Sequence, residues 1–123
     1  MKNIAPDVKL GKGVKVYDFV NLYGCEIDEN TRIGTFVEIQ KGAKVGKNCK
    51  IQNNVSIYEG VTLEDHVFCG PAMVFTNVYN PRCEIPRMSE LRPTLVKEGA
   101  TIGAGCTIGN DLSIGRFAMV GMG

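Results

Sequence analysis

A parallel β-helix of triangular cross-section is the fold this sequence predicts, and three observations predict it. An aliphatic residue returns at every sixth position, a second apolar stripe follows four residues behind, and Gly or Asn recurs between them. The first series reads Ile4, Leu10, Val16, Leu22, then after a five-residue step Ile27, Ile33, Ile39, Val45, Ile51, Ile57, Leu63, Cys69 and Phe75. It resumes at Val96, Ile102, Ile108, Ile114 and Val120. Sixteen of these 18 positions are Ile, Leu or Val. Those types fill 29 of the 123 residues, so chance would place about four there, and the repeat is real.

The second stripe includes Val8, Val14, Val20, Val37, Ala43, Cys49, Val55, Val61, Val67, Met73, Ala100, Cys106, Leu112 and Ala118. Apolar residues at positions one and five of six fit neither a 3.6-residue helix nor simple alternation. They fit a short strand with two inward side chains and then a corner. Gly13, Asn30, Gly42, Asn48, Asn54, Gly60, Gly99 and Gly105 lie three after an aliphatic, and these types tolerate the positive φ that a corner needs. Three units close a coil of about 18 residues, and coils stack at ~4.8 Å by parallel pairing. The expected product is one all-β domain over residues 1–123, with about six coils and no helix of any length.

The period breaks from about 78 to 95, predicting one extruded loop. That stretch carries Pro81, Pro86 and Pro93 with Arg82, Arg87 and Arg92, and a long loop in a compact repeat is usually functional. Lys9, Lys12, Lys15, Lys41, Lys44, Lys47 and Lys50 fall at outward positions around all faces, which reads as a solvated surface. Fourteen basic and 13 acidic residues give a net charge of +1, which argues against nucleic acid or a membrane surface as partner. No apolar run is long enough to span a bilayer, and MKNIAPDVKL has no signal-peptide core. Five cysteines without a CxxC fit a reduced cytoplasmic chain.

Units such as IGTFVE, VGKNCK and IGAGCT resemble the hexapeptide-repeat acyltransferases, and the resemblance implies a left-handed coil. More specific is KIQNNVSIYEGVTLEDHVFCGPAMVFTNVYNPR, 50–82, followed by RPTLVKEGATIGAGCTI, 92–108. This resembles the N-acetyltransferases that modify the 3-amino group of nucleotide-linked sugars, such as UDP-2-acetamido-3-amino-2,3-dideoxy-glucuronate or dTDP-3-amino hexoses, used in surface polysaccharide. The resemblance implies a homotrimer, acetyl-CoA as donor, a nucleotide sugar as acceptor, and active sites between neighbouring prisms. Relatives have Asp or Asn where this chain has His66, and they continue past VGMG with another strand and a C-terminal segment. Because this chain stops inside a coil at Gly123, the donor site is expected to be incomplete.

Acyl transfer from a thioester to an amine needs a neutral amine, placement, and a donor to the developing oxyanion. An amine flanked by electron-withdrawing sugar substituents titrates near an α-amino group, about 7.7–8, so a strong general base is optional. The resemblance puts Asn77, in FTN, beside the acceptor amine, where its carbonyl oxygen would hold an N–H. The alternative is that Asn77 caps the departing loop. Arg82 inherits a substrate role from the YNPR match together with Tyr79, and Arg87 or Arg92 would also suit a diphosphate or carboxylate. Ion pairs with Glu84 and Glu90 are the competing use.

Gln52, Asn53 and Asn54 are expected either to bind substrate or to form a structural amide ladder. Gly103, Ala104 and Gly121 are small enough to let CoA approach the backbone, or are ordinary corner residues. Cys49, Cys69 and Cys106 fall on the inward stripes as inert core, whereas Cys25 and Cys83 are not placed by them. One histidine per chain cannot supply the three-histidine zinc site of a γ-class carbonic anhydrase, and no metal is expected. Two other readings remain: a non-catalytic β-helix scaffold, and an O-acetyltransferase with His66 as base.

Overall fold

A computed structural model of the chain describes all 123 residues. Eighteen strands, nearly all two residues long, form three parallel six-stranded sheets. We call these faces 1, 2 and 3, in the order the chain visits them. Face 1 stacks Asn3–Ile4, Asn21–Leu22, Glu38–Ile39, Ser56–Ile57, Val74–Phe75 and Thr107–Ile108. Face 2 stacks Lys9–Leu10, Glu26–Ile27, Lys44–Val45, Val61–Leu63, Thr94–Val96 and Ser113–Ile114. Face 3 stacks Lys15–Val16, Arg32–Ile33, Lys50–Ile51, Phe68–Cys69, Thr101–Ile102 and Met119–Val120. The fold is the left-handed parallel β-helix, with six coils. Met88–Glu90, a single 3₁₀ turn, is its only helix, and no helix is long and apolar enough to cross a membrane.

Each short strand offers one residue outward and one inward, so the aliphatic series fills the prism. The core is one cluster of 24 buried residues running from Val20 to Ile108. In the first and last coils the same positions are only partly covered: Ile4, Val8, Val16, Ile114 and Val120 pack against the cluster from its ends. Cys25, displaced by the five-residue step, and Thr31, in phase four after Ile27 but polar, prove to be inward and fully buried, completing the second stripe. That shortened corner turns at Gly24, φ +58°, where an added Cβ would lie 2.5 Å from Lys41 Cβ. Thr31 is buried without penalty because its Oγ1 donates to Gly46 O at 2.6 Å and accepts from Cys49 N at 3.0 Å.

Corner residues sit at positive φ as expected, and their amides donate to the preceding coil. Asn48 N reaches Glu29 O, His66 N reaches Lys47 O, and Gly99 N reaches Asp65 O, each at 2.8–3.0 Å. His66, φ +58°, is therefore a member of this ladder. Three corners carry phenylalanine instead: Phe19, Phe36 and Phe117, at φ +61°, +58° and +56°. A bulky side chain is strained in that region, yet all three are exposed. Phe19 and Phe36 stack at 5.5 Å between centroids with a 15° interplanar angle.

The extruded loop leaves after Asn77, where the expected start of about 78 put it, and ends at Pro93, slightly before the expected 95. Thr94 and Leu95 already belong to face 2, paired in register with Val61 and Thr62. The expected boundary was late because Thr94, polar yet buried, hides the strand's start. Its Oγ1 donates to Gly109 O at 3.3 Å, which satisfies it inside.

Candidate active site at the loop edge

The loop leaves from the edge between faces 1 and 2, and Asn77 stands at its neck. Thr76 N still bonds to Ile108 O as part of the stack (3.0 Å), and Arg92 N returns to Asn77 O at 2.9 Å, closing the loop at its base. The backbone of Asn77 thus does the capping work. Its side chain does something separate: Nδ2 donates to Glu59 O, one coil earlier, at 3.0 Å. The half-buried amide is pinned by its nitrogen, and Oδ1 has no protein partner.

Glu59 is itself held. Its N–H donates to Gln40 Oε1 at 3.2 Å, and Gln40 Nε2 donates to Glu38 Oε2 at 2.9 Å. Glu38 Oε1 accepts from Asn21 Nδ2 at 3.1 Å, and Asn21 Oδ1 accepts from Asn3 Nδ2 at 2.7 Å. A polar line therefore runs up face 1 from the first coil to the neck of the loop. Tyr23 lies along it, and burial, followed by the nearby Glu38 and Glu59 carboxylates and Tyr58, pushes its phenol above the ordinary value. Sequence reasoning passed over Gln40 and Glu59, although the 18-residue coil puts Glu59 directly before Asn77.

The loop arginines divide. Arg87 pairs with Glu90 at 3.2 Å, and Arg92 pairs with Asp111 at 3.2 Å while its guanidinium lies 5.1 Å from the Tyr79 ring centroid. Tyr79 is half exposed, and its hydroxyl donates to Asn110 O at 3.4 Å. Asn110 is buried at the loop's root, and its Nδ2 has no partner, which marks a donor waiting for a water or a ligand. Arg82 sits at the exposed tip, its guanidinium bonded only to Pro81 O at 3.1 Å. It is the loop arginine without a carboxylate.

The remaining sequence-predicted residues lie on another edge. Gln52, Asn53 and Asn54 turn the corner between faces 3 and 1, and Gly103, Ala104 and Gly121 turn the same corner farther along. Asn53 O accepts from Ala72 N at 3.0 Å and Ala104 O from Gly123 N at 2.9 Å, so their backbones belong to the corner ladder. Gly103 is fixed by packing, since a Cβ there would lie 2.6 Å from Met122 N. Gly121 instead faces open space. One chain therefore forms two groups separated by face 1: Asn77, Tyr79 and Arg82 at one edge, and the amides and small residues at the other. His66 occupies the third edge, between faces 2 and 3, also a full face away from Asn77. No three His, Cys, Asp or Glu side chains converge on one point.

These features define a hexapeptide-repeat β-helix protein. A family model described as bacterial transferase hexapeptide (six repeats) matches residues 24–58. The bifunctional protein GlmU of Marinobacter nauticus is 34% identical over 121 residues, covering 89% of this chain and 26% of that protein. A 2,3,4,5-tetrahydropyridine-2,6-dicarboxylate N-succinyltransferase of Parvibaculum lavamentivorans is 33% identical, covering 90% of this chain and 35% of its own length. Among solved structures, a perosamine N-acetyltransferase variant from Caulobacter crescentus, in complex with CoA and GDP-perosamine, aligns with a TM-score of 0.64. It is 22% identical, with 96% of this chain and 47% of that chain covered, a likeness of fold. The chain spans about a quarter to a third of the length of these curated relatives and just under half of that structure.

Proposed function

We propose that the protein is an N-acetyltransferase that moves acetyl from acetyl-CoA to the 3-amino group of a nucleotide-linked sugar for surface polysaccharide. The observation that carries this reading is the Asn77 amide, pinned through Nδ2 to Glu59 O with Oδ1 open at the neck of the loop. An open amide oxygen accepts one N–H of the acceptor amine and aims its lone pair outward. The amine nitrogen attacks the thioester carbonyl carbon, the C–S bond breaks, and the amine's surplus proton leaves with the CoA thiolate or solvent. No strong base is required, because such an amine is partly neutral near pH 7.

Tyr79 and Arg82 are the acceptor-binding residues of the loop, with Arg82 free to meet a phosphate or sugar carboxylate. Gln52, Asn53 and Asn54 would contribute further substrate contacts, and Gly103, Ala104 and Gly121 a path for CoA. These groups lie one face apart, so a cleft containing both has to form between two chains. A homotrimer closes three such clefts, and the cytoplasm holds both substrates.

The test is thiol release from acetyl-CoA with a panel of UDP-, dTDP- and GDP-linked amino sugars, beside sedimentation at micromolar concentration. Thiol release that needs an amino sugar, from a trimer, is the expected result. A stable monomer that releases no thiol with any acceptor overturns the reading in favour of a scaffold.

A further inference from the structure

Sequence spacing spreads the lysines around the prism, but strand register gathers three cations on one face. On face 3, Lys15 is the direct cross-strand partner of Arg32, and Arg32 of Lys50. Like charges in direct register, ~4.8 Å apart along the stack, destabilise a sheet. Face 2 shows the usual remedy in the same coils. There Glu26 lies in register between Lys9 and Lys44, with Lys9 Nζ 3.6 Å from its carboxylate. Face 3 has no such acid: none of the five ion pairs includes Lys15, Arg32 or Lys50. Asp18, just beyond the face, pairs with the amine of Met1 at 3.8 Å.

Aromatic rings bracket this column. Lys15 Nζ lies 5.1 Å from the Tyr17 ring centroid, and Phe68 follows Lys50 in register. Tyr17, Arg32, Lys50, Gln52, Asn53 and Phe68 line one shallow recess of about 460 Å³. With a net charge of only +1, the column is a local arrangement and not general basicity.

We propose that this recess binds the nucleoside diphosphate portion of a ligand. Arg32 and Lys50 grip the diphosphate, the Arg32 fork supplying paired donors. Tyr17 and Phe68 offer faces to the base, and the Gln52 and Asn53 amides meet the ribose hydroxyls. The repulsion within the column is relieved when the anion arrives. The inference deepens the acetyltransferase reading and rests on it for the natural ligand, since both nucleotide sugar and CoA carry a nucleoside diphosphate. Face 3 lies opposite the edge that carries Asn77, so a nucleotide sugar reaching both would bridge two chains.

The test is calorimetric titration with UDP, dTDP, GDP, CoA, inorganic pyrophosphate and uridine, at low and moderate salt. Three proteins are compared: the unaltered chain, the double variant Arg32→Gln with Lys50→Gln, and a face-2 control, Lys9→Gln with Lys44→Gln. The nucleoside diphosphates, CoA, or both bind the unaltered chain more tightly than pyrophosphate or uridine. The face-3 variant loses at least tenfold in affinity and the control does not. Preference for the nucleoside diphosphates assigns the recess to the nucleotide sugar, and preference for CoA assigns it to the donor. The face-3 variant also melts no lower than the unaltered chain, because its loss relieves like-charge contact; a structural role would lower the melt. Equal affinity in all three proteins, pyrophosphate binding as tightly as any nucleotide, or no binding at all overturns the proposal. Thiol release is scored separately. If it occurs while the face-3 variant binds normally, the recess alone fails; if it never occurs while the variant loses binding, the transferase reading alone fails.

Discussion

Asn77 donates its side-chain N–H to the carbonyl of Glu59, one coil away, at 3.0 Å. That bond orients the amide: with the nitrogen committed to the coil, the oxygen is the atom presented at the loop neck. A freely rotating asparagine would offer either end, so the fold makes a choice that the sequence FTN does not reveal.

Removing that oxygen should therefore cost turnover and not folding. Asn77→Ala is expected to lower kcat about 30- to 1000-fold, the equivalent of about 2–4 kcal/mol in the transition state, with the assembly intact. His66→Asn should keep most activity, because asparagine holds the same left-handed corner at Asn48 and Asn54. In both proteins the rate should rise with pH and level off near the acceptor amine's own pKa. Loss of activity and of the pH dependence in His66→Asn, with Asn77→Ala near wild type, would reverse the two assignments.

Gln40 is expected to act through Glu59 as a positioning residue. It accepts from Glu59 N and donates to Glu38, so Gln40→Leu frees the residue whose carbonyl holds Asn77. The expected result is about tenfold lower kcat with KM little changed, which is about 1.4 kcal/mol. In the Asn77→Ala background the same change should have almost no further effect, because the two belong to one chain of bonds. Full additivity of the two losses would remove Gln40 from the site.

The repeat made the fold legible, because nearly every inward residue sits on a six-residue recurrence that survives substitution. Register was harder. The step from Leu22 to Ile27 shortens one coil, which hid Cys25 and shifted every outward residue before it against those after, whereas Thr31 was in phase and was missed because it is polar. Lys15 and Lys50 accordingly read as parts of one solvated lysine surface and Arg32 was passed over, although pairing puts the three side by side. The loop's contacts were also illegible: Arg92 finds Asp111, 19 residues on, because the corner carrying Asp111 stacks on the loop's root. Asn77 was found by resemblance alone, and its partner Glu59 by neither route.

The shortened corner makes a stability prediction. Gly24 and Gly105 both have positive φ, at +58° and +69°, but only Gly24 is crowded, by Lys41. Gly105→Ala should cost about 1 kcal/mol, the backbone term alone. Gly24→Ala adds a steric clash and should cost roughly 2–4 kcal/mol, lowering the melting temperature by several degrees more. Equal melting temperatures for the two variants would show that the corner at Gly24 yields to the added methyl group.

The thiols supply the last prediction, which separates burial from reactivity. Cys83 is exposed in the loop, and Cys25, Cys49, Cys69 and Cys106 are buried. Burial is the main cause that pushes the Cys25 thiol from 9.0 up to about 11, and it raises Cys49 and Cys69 as well. At pH 8 without reductant, one thiol per chain should react quickly with a disulfide reagent in the native protein, and all five after unfolding. Cys83→Ser should abolish the fast phase. The same shifts set a pH dependence of stability. Above about pH 9 the folded state holds the Cys25 proton while the unfolded chain loses it, so the native state binds more protons and stability falls as pH rises. The contribution is complete below pH 9 and is lost progressively toward pH 11. Urea midpoints should decline across that window, and Cys25→Ala, though less stable throughout, should show a shallower decline. Two fast thiols in the native protein, or identical slopes for the two proteins, would mean that the core admits solvent to Cys25 and that its thiol is not held by burial.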